Sequence, residues 1–240
     1  MKNKPSISQL RQAAEQGDAT AQYKLARAYA YGDGVTQDRA QEVMWYRKAA
    51  ELGNPDAQCK LAFLHSTGFG GVQEDIAKAY DLYRKAVASF REAAEQGNSD
   101  AQLSLGGCYM RGNGVEKDSQ QAIIWLRKAA KRGNCEAQRW LGSLYDEGKE
   151  VAQDHEQAAM WWLKASAQGD TGAQISLGDL YRLGKGRPQD NKMAYIWYSV
   201  AAIENNKAVS ARDDLERLLT PAELSDAQTL VDRYFKRCFS

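Results

Sequence analysis

Apolar and small residues recur along the chain at helical spacing. One segment reads Ala21…Leu25-Ala26…Tyr29. Later segments repeat it as Leu61-Ala62…His65, Leu105-Gly106…Tyr109, Leu141-Gly142…Tyr145 and Leu177-Gly178…Tyr181. Positions i, i+4, i+7 and i+8 share one helical face, so each segment predicts an amphipathic helix. The small residue after each Leu lets a neighbouring backbone come close. A glycine inside a helix costs about 1 kcal/mol against alanine, and close packing offsets that cost. A glycine-rich turn follows: Gly32-Asp33-Gly34, Gly112-Asn113-Gly114, Gly184-Lys185-Gly186. Glycine suits the positive φ that such turns need. Next comes an aspartate in every copy (Asp38, Asp75, Asp118, Asp154, Asp190), placed to cap a second helix. That helix carries Trp45-Tyr46…Ala49, Trp125-Leu126…Ala129, Trp161-Trp162…Ala165 or Trp197-Tyr198…Ala201, with Leu82-Tyr83 in the second copy.

Two markers set the period. Ala-Gln begins at 21, 57, 101, 137 and 173, and a glycine stands at 17, 53, 97, 133 and 169. Both step by 36, 44, 36 and 36 residues. The long copy has one extra turn residue in Gly68-Phe69-Gly70-Gly71. It has seven more in its second helix, where Tyr83-Arg-Lys-Ala-Val87 is echoed by Phe90-Arg-Glu-Ala-Ala94. Seven residues are nearly two turns and drift only about 20°, so a longer helix is expected rather than a bulged loop. The boundaries are an N-terminal half-repeat at 6–17 and repeats at 18–53, 54–97, 98–133, 134–169 and 170–205. A C-terminal capping helix pair at 206–240 closes the stack, as finite arrays require. The whole is expected to be a single α-solenoid domain.

Composition fits helices: 36 of 240 residues are Ala and only 22 are Val, Ile or Thr. A net charge of +1 with 43% hydrophobic content argues against disorder and against a coat for nucleic acid or an anionic membrane. The longest apolar run, Ala158–Leu163, is far short of the ~20 residues that span a bilayer. The N-terminus shows no apolar signal region. Four separated cysteines (59, 108, 135, 238) form no CxxC and read as reduced thiols of a cytoplasmic protein.

No catalytic or cofactor motif emerges. His65 takes the repeat's Tyr position and reads as a core residue; His155 reads as solvated. Two histidines 90 residues apart make no metal motif. Gly184-Lys185 lacks the upstream glycine and following hydroxyl of a phosphate loop. Asp146-Glu147 reads as a solvated helix end. No cofactor or metal is expected.

The recurring Ala, Leu-Gly, Tyr, Gly-x-Gly, Asp, Trp-Tyr-x-Lys-Ala-Ala pattern resembles the Sel-one-like repeat, a branch of the tetratricopeptide-like helical repeats, over about residues 6–205. His65, Glu42 and Arg187 depart from it. The resemblance implies an all-α fold, a right-handed superhelical α-solenoid of antiparallel helix pairs. Its concave side, lined by the first helix of each pair, is expected to bind proteins or peptides. Cysteine-rich relatives linked to β-lactamase-like activity carry regular cysteine pairs within repeats, which this chain lacks.

Offsets opposite the core stripe give the candidate partner-facing residues: Tyr23, Arg27, Tyr31, Phe63, Leu103, Met110, Arg111, Arg139, Asp146, Ile175, Asp179 and Arg182. Several are large and apolar where a solvated helix shows Lys and Glu. Residues 98–133 carry a net +3 and residues 134–169 a net −3, which fits a bipolar protein partner or compensation between stacked repeats. The expected function is a non-enzymatic interaction scaffold binding a protein or peptide, with no nucleic-acid or membrane partner. The alternative, from resemblance alone, is an immunity protein that neutralises a co-encoded toxin. A small-ligand binder or hydrolase has the least support.

Overall fold

The computed structural model describes the backbone of residues 5–203 and 205–239, with side chains up to Tyr234. Among the described residues all regular structure is helical. In chain order the helices are α1 (Ile7–Glu15), α2 (Ala19–Tyr31), α3 (Arg39–Glu51), α4 (Pro55–Thr67), α5 (Ile76–Glu95), α6 (Ser99–Arg111), α7 (Ser119–Lys131), α8 (Cys135–Glu147), α9 (His155–Ser166), α10 (Thr171–Leu183), α11 (Asn191–Ala201), α12 (Asn206–Glu216) and α13 (Pro221–Phe239). A short 3-10 turn, Phe69–Gly71, lies between α4 and α5. The chain divides into two compact units, 1–122 and 123–240, with the division falling in α7.

In the first unit the helix starts, and the ends of the first helices, have local chemical causes. Asp18, Asn54 and Asn98 accept the backbone N–H of Ala21, Ala57 and Ala101 at 2.9 Å. Asp38, Asp75 and Asp118 do the same for Gln41, Lys78 and Gln121. These bonds satisfy donors that a helix start leaves open. The first helices stop where Gly32, Gly68 and Gly112 turn left-handed (φ 73°, 65° and 74°). The expected long helix is present: α5 runs unbroken for 20 residues, where α3 has 13. Leu10, Leu25, Trp45, Tyr46, Leu61 and Leu64 form one continuous core.

The buried stripe of the first helices is wider than the expected offsets. In α2 it comprises Ala21, Gln22, Leu25, Ala26, Ala28 and Ala30, while Tyr29 is only half-buried. The first helices α2, α4 and α10 each pack against their own second helix and the preceding one, so two lines of contact are needed. The invariant Gln is the polar member of this stripe. Gln22, Gln58 and Gln102 donate from Nε2 to the carbonyls of Ala14, Ala50 and Ala94 (2.9, 3.2 and 2.9 Å). Tyr29 and Tyr109 sit at the rim, where Arg11 and Arg91 donate to their hydroxyls at 2.9 and 3.0 Å. His65 is buried, with Nδ1 3.1 Å from the Gln73 carbonyl.

The second unit repeats these devices. Asp154 and Asp190 cap α9 and α11, Gln138 donates to the Ala130 carbonyl at 3.0 Å, and Arg127 donates to Tyr145 at 2.7 Å. Trp162, Leu177, Leu180 and Trp197 fill one core. Tyr195, Ile196, Tyr198, Leu215 and Ala227 fill a second, closed by α12 and α13. Tyr234 packs edge-on against Trp197 (5.7 Å, 76°) and donates to the Ser166 carbonyl at 2.6 Å. The Cys238 side chain lies outside the described residues.

Candidate interaction surface

In the first unit the outward positions of α2, α4 and α6 form two adjoining clefts that share Phe63 and Lys60. One, of about 360 Å³, also takes Tyr31, Arg39, Tyr46 and Phe69. The other, of about 430 Å³, takes Asp56, Cys59, Tyr83, Cys108 and Arg111. Tyr31 and Phe63 are 70% and 50% exposed, and Phe69 53%. That is a large apolar outlay for a surface without a partner. Arg27 lies over the Tyr31 ring at 5.9 Å and Arg39 over Phe69 at 4.7 Å. Tyr31 and Phe69 therefore each carry a cation at the ring face. Tyr23 is half-buried and tilted against Tyr46 at 5.8 Å; Leu103 and Met110 are also half-buried, and Arg111 is exposed.

In the second unit the expected residues divide into two kinds. Ile175, Asp179 and Arg182 line a cleft of about 630 Å³ between α10 and α12, together with Leu183 and Tyr198. Tyr198 donates to Asp179 at 2.7 Å, and Arg182 Nε donates to the Tyr198 hydroxyl at 3.1 Å. Arg139 instead pairs with Asp170 at 3.2 Å, the residue that caps α10 by accepting from Ala173 at 2.7 Å. Asp146 accepts from Lys185 Nζ at 2.8 and 3.1 Å and lies 3.0 Å from His155 Nδ1. The expectation of a solvated Asp146 and a solvated His155 is therefore corrected: both side chains are about four-fifths covered. The turn after α10 folds back and brings Lys185 onto them. In this unit Asp146 takes a cation, and Arg139 an acid, from the next copy, so both brace the fold as well as edging the surface.

Phe69 and Lys60 were invisible to periodicity. Phe69 sits in a turn, and Lys60 lies three residues after Ala57, on neither the core stripe nor the outward offsets. The Gly68-Phe69-Gly70-Gly71 insertion, which departs from the other copies, was the one available signal for Phe69.

Burial, and then its hydrogen bond to Asp179, push the Tyr198 hydroxyl up to about 12. The unfolded value is near 10, so the folded state holds this proton more tightly. Its contribution is fully present below pH 10 and is lost as pH rises through 12. Alkaline melts are expected to show a steeper loss of stability between pH 10 and 12 in the wild type than in Tyr198→Phe. Parallel curves would show that Tyr198 does not govern the transition.

Among the described residues no group of three or more His, Cys, Asp or Glu is placed to hold a metal ion. No helix among them is long and apolar enough to cross a membrane.

Paired helices with repeated caps, repeated buried glutamines and an outward face of variable side chains define a helical-repeat scaffold. The Sel1 repeat family model matches residues 19–54, 55–89, 99–134, 135–170 and 171–206, and the chain belongs to that family. The second match stops short of the added turns of α5. Three solved structures show the same fold. A protective antigen of uropathogenic Escherichia coli displaying an SLR fold is 36% identical over 96% of this chain, with a TM-score of 0.68. This chain spans 48% of that antigen's length. A Sel1 repeat protein of Oxalobacter formigenes is 28% identical, with 95% and 98% of the two chains covered and a TM-score of 0.61. A third, described as a putative sel1 repeat protein of Klebsiella pneumoniae subsp. pneumoniae, is 26% identical, with 88% and 100% covered and a TM-score of 0.55. No curated protein matches the chain.

Proposed function

We propose that this chain is a non-enzymatic scaffold that holds a protein or peptide on the outward face of its first helices, with the aromatic clefts of the first unit as the main anchor. The observation that carries this reading is the cluster of Tyr31, Phe63 and Phe69, all at least half exposed, set among Arg27, Arg39, Lys60 and Arg111. Aromatic and arginine side chains are the types that dominate interface energetics. A partner with apolar anchors beside carboxylates would fill the clefts and meet the cations. Sel1 repeats are scaffolds typical of protein–protein interaction, which supports the same reading. Burying three such rings contributes about 5–9 kcal/mol, against an association cost of about 4–15 kcal/mol. The charged rim must therefore supply much of the net affinity.

The test is affinity capture from native lysate with wild type and a Tyr31→Glu/Phe63→Glu variant. Both positions are exposed, so the variant is expected to keep the wild-type melting curve. One protein captured by wild type should lose at least about 30-fold in affinity for the variant, the scale of a single hot spot. Equal capture by both forms would overturn the reading. Growth rescue on co-expression with the captured protein would identify that partner as a toxin and the chain as its neutraliser.

A further inference from the structure

Three residues of the first unit break the repeat at separate places and meet in one cleft. Arg39 follows the capping Asp, where the other copies have Ile76, Ser119, His155 and Asn191. Glu42 stands where they have Ala79, Ala122, Ala158 and Ala194. Phe69 belongs to the turn with the added residue. Arg39 Nη1 donates to Glu42 Oε2, and the guanidinium lies over the Phe69 ring at 4.7 Å. Gly70 makes room for the arginine stem: a Cβ there would lie 3.0 Å from Cδ and 3.3 Å from Cγ of Arg39. Glu42 is buried, like the alanines of the other copies. A buried carboxylate costs stability unless it is paired, and an apolar residue often serves stability as well as the pair does. Four copies fold with alanine at this place, so packing alone does not ask for Glu42.

On the reading of this face as a partner-binding surface, we propose that Arg39 is the receptor for an aspartate or glutamate side chain of the partner's bound segment, with Glu42 as the positioning residue that holds the guanidinium across Phe69. A free arginine side chain loses many rotamers when it binds. Here one Nη donor is tied and one face is covered, so the planar fork is ordered before any partner arrives. Among the described residues nothing else accepts from Arg39. Its Nε and Nη2 donors are left, and they form the edge that grips a carboxylate with two parallel hydrogen bonds. The side chain is 36% exposed, so it is open to an incoming group. Charge selects the same class of occupant. Glu42 offsets one cation only. Lys60 lines the same cleft and stands exposed, and Arg27 lies over the Tyr31 ring that helps to wall it. The cleft and its rim therefore stay positive, and a cationic segment would be repelled. The aromatic walls take the apolar residues beside the carboxylate.

The probe is the peptide acetyl-Glu-Leu-Glu-Phe-Glu-Leu amide, titrated into the folded full chain and followed by the arginine Nε–H resonances in proton–nitrogen NMR spectra. The expected result is binding at least about 10-fold tighter than that of acetyl-Gln-Leu-Gln-Phe-Gln-Leu amide, the worth of a charge-assisted pair, with the Arg39 Nε–H resonance moving on saturation. Arg39→Lys keeps the charge but loses the fork, and should bring the two peptides within about 3-fold of each other. Glu42→Gln and Glu42→Ala both remove the carboxylate, but only glutamine keeps an acceptor for Nη1. Glu42→Gln should therefore bind the Glu peptide at least about 3-fold tighter than Glu42→Ala. Alanine is the residue of the other four copies, so both variants are expected to melt with the wild type, which circular dichroism checks. The proposal is overturned if the Glu and Gln peptides bind alike or not at all, if Arg39→Lys keeps the full discrimination, or if Glu42→Gln and Glu42→Ala bind alike. It is also overturned if the Gln peptide with a free C-terminal carboxylate binds as tightly as the Glu peptide, which would make a chain end the occupant. A captured partner that is lost by Tyr31→Glu/Phe63→Glu but fully kept by Arg39→Lys would uphold the surface and sink this receptor.

Discussion

Replacing Gly114 with alanine is expected to destabilise residues 1–122 by about 2–5 kcal/mol, lowering the thermal midpoint on the order of 10 °C. Two costs add at this position. Its φ of +70° disfavours any residue with a Cβ. The added Cβ would also lie 2.5 Å from the Arg84 nitrogen and 2.7 Å from the Tyr83 carbonyl oxygen. Those atoms belong to the backbone of α5, which cannot swing aside as a side chain would. The second glycine of other turns has the same role with softer partners: Gly34 faces Ile7 at 2.8 Å, and Gly70 faces Arg39 at 3.0 Å. Gly53 supplies the control. Its φ is +83°, but a Cβ there would meet no atom within 4 Å, so Gly53→Ala should cost only about 1–2 kcal/mol. Urea titrations of the two variants check the difference. Equal losses would mean that backbone conformation alone selects the glycine, and that the turn-to-helix approach between copies contributes nothing.

That contrast marks what one sequence can and cannot disclose. Periodicity exposes anything that recurs. The helix pairs, the Asp caps, the extended α5 and the two helices α12 and α13 after the last copy were all legible, because each repeats or visibly breaks a repeat. The glycine turns were legible as positive-φ sites. Their second duty, making room for the preceding copy (its backbone at Gly114, its side chains at Gly34 and Gly70), was not, since it depends on a contact about 30 residues back along the chain. The Gln in each Ala-Gln pair shows the same limit. Its recurrence was plain, but a polar residue on a buried stripe has no meaning until the carbonyl it meets is known. Charges were the least legible. Arg139 and Asp146 fall on the outward offsets of α8, and the sequence offers nothing to distinguish them from Arg27 or Arg111. Only the fold brings Asp170 to the first and Lys185 and His155 to the second. Tyr31 and Phe63 were read as outward-facing on the same offsets, and they stand out as exposed. Apolar side chains are placed by their own helix, whereas charged ones are placed by their partners.

Trp162→Ala should be the most damaging single truncation in the second unit, at about 3–5 kcal/mol, and its partner glycine should then reverse its preference. The indole is 4% exposed and packs closely against Gly142 of α8. A Cβ on Gly142 would come within 2.9 Å of Cε2 and closer still to Cδ1 and Nε1. Trp162 Nε1 has no hydrogen-bond partner, so truncation loses packing alone and orphans no polar group. In the wild type, Gly142→Ala sets an overpacking cost of about 1–3 kcal/mol against a helical gain of about 1 kcal/mol. The net effect should be neutral to destabilising. In the Trp162→Ala background the clash is gone and a cavity waits beside the new methyl, so the same substitution should stabilise by about 1 kcal/mol. A double-mutant cycle in denaturant therefore predicts a coupling of at least about 1 kcal/mol with a change of sign. If Gly142→Ala has the same effect in both backgrounds, the glycine is not there to seat the indole. Trp162 also borders the cleft edged by Asp146, Asp179 and Leu183. The residue that sets how closely α8 and α9 approach therefore also forms part of the surface that they present.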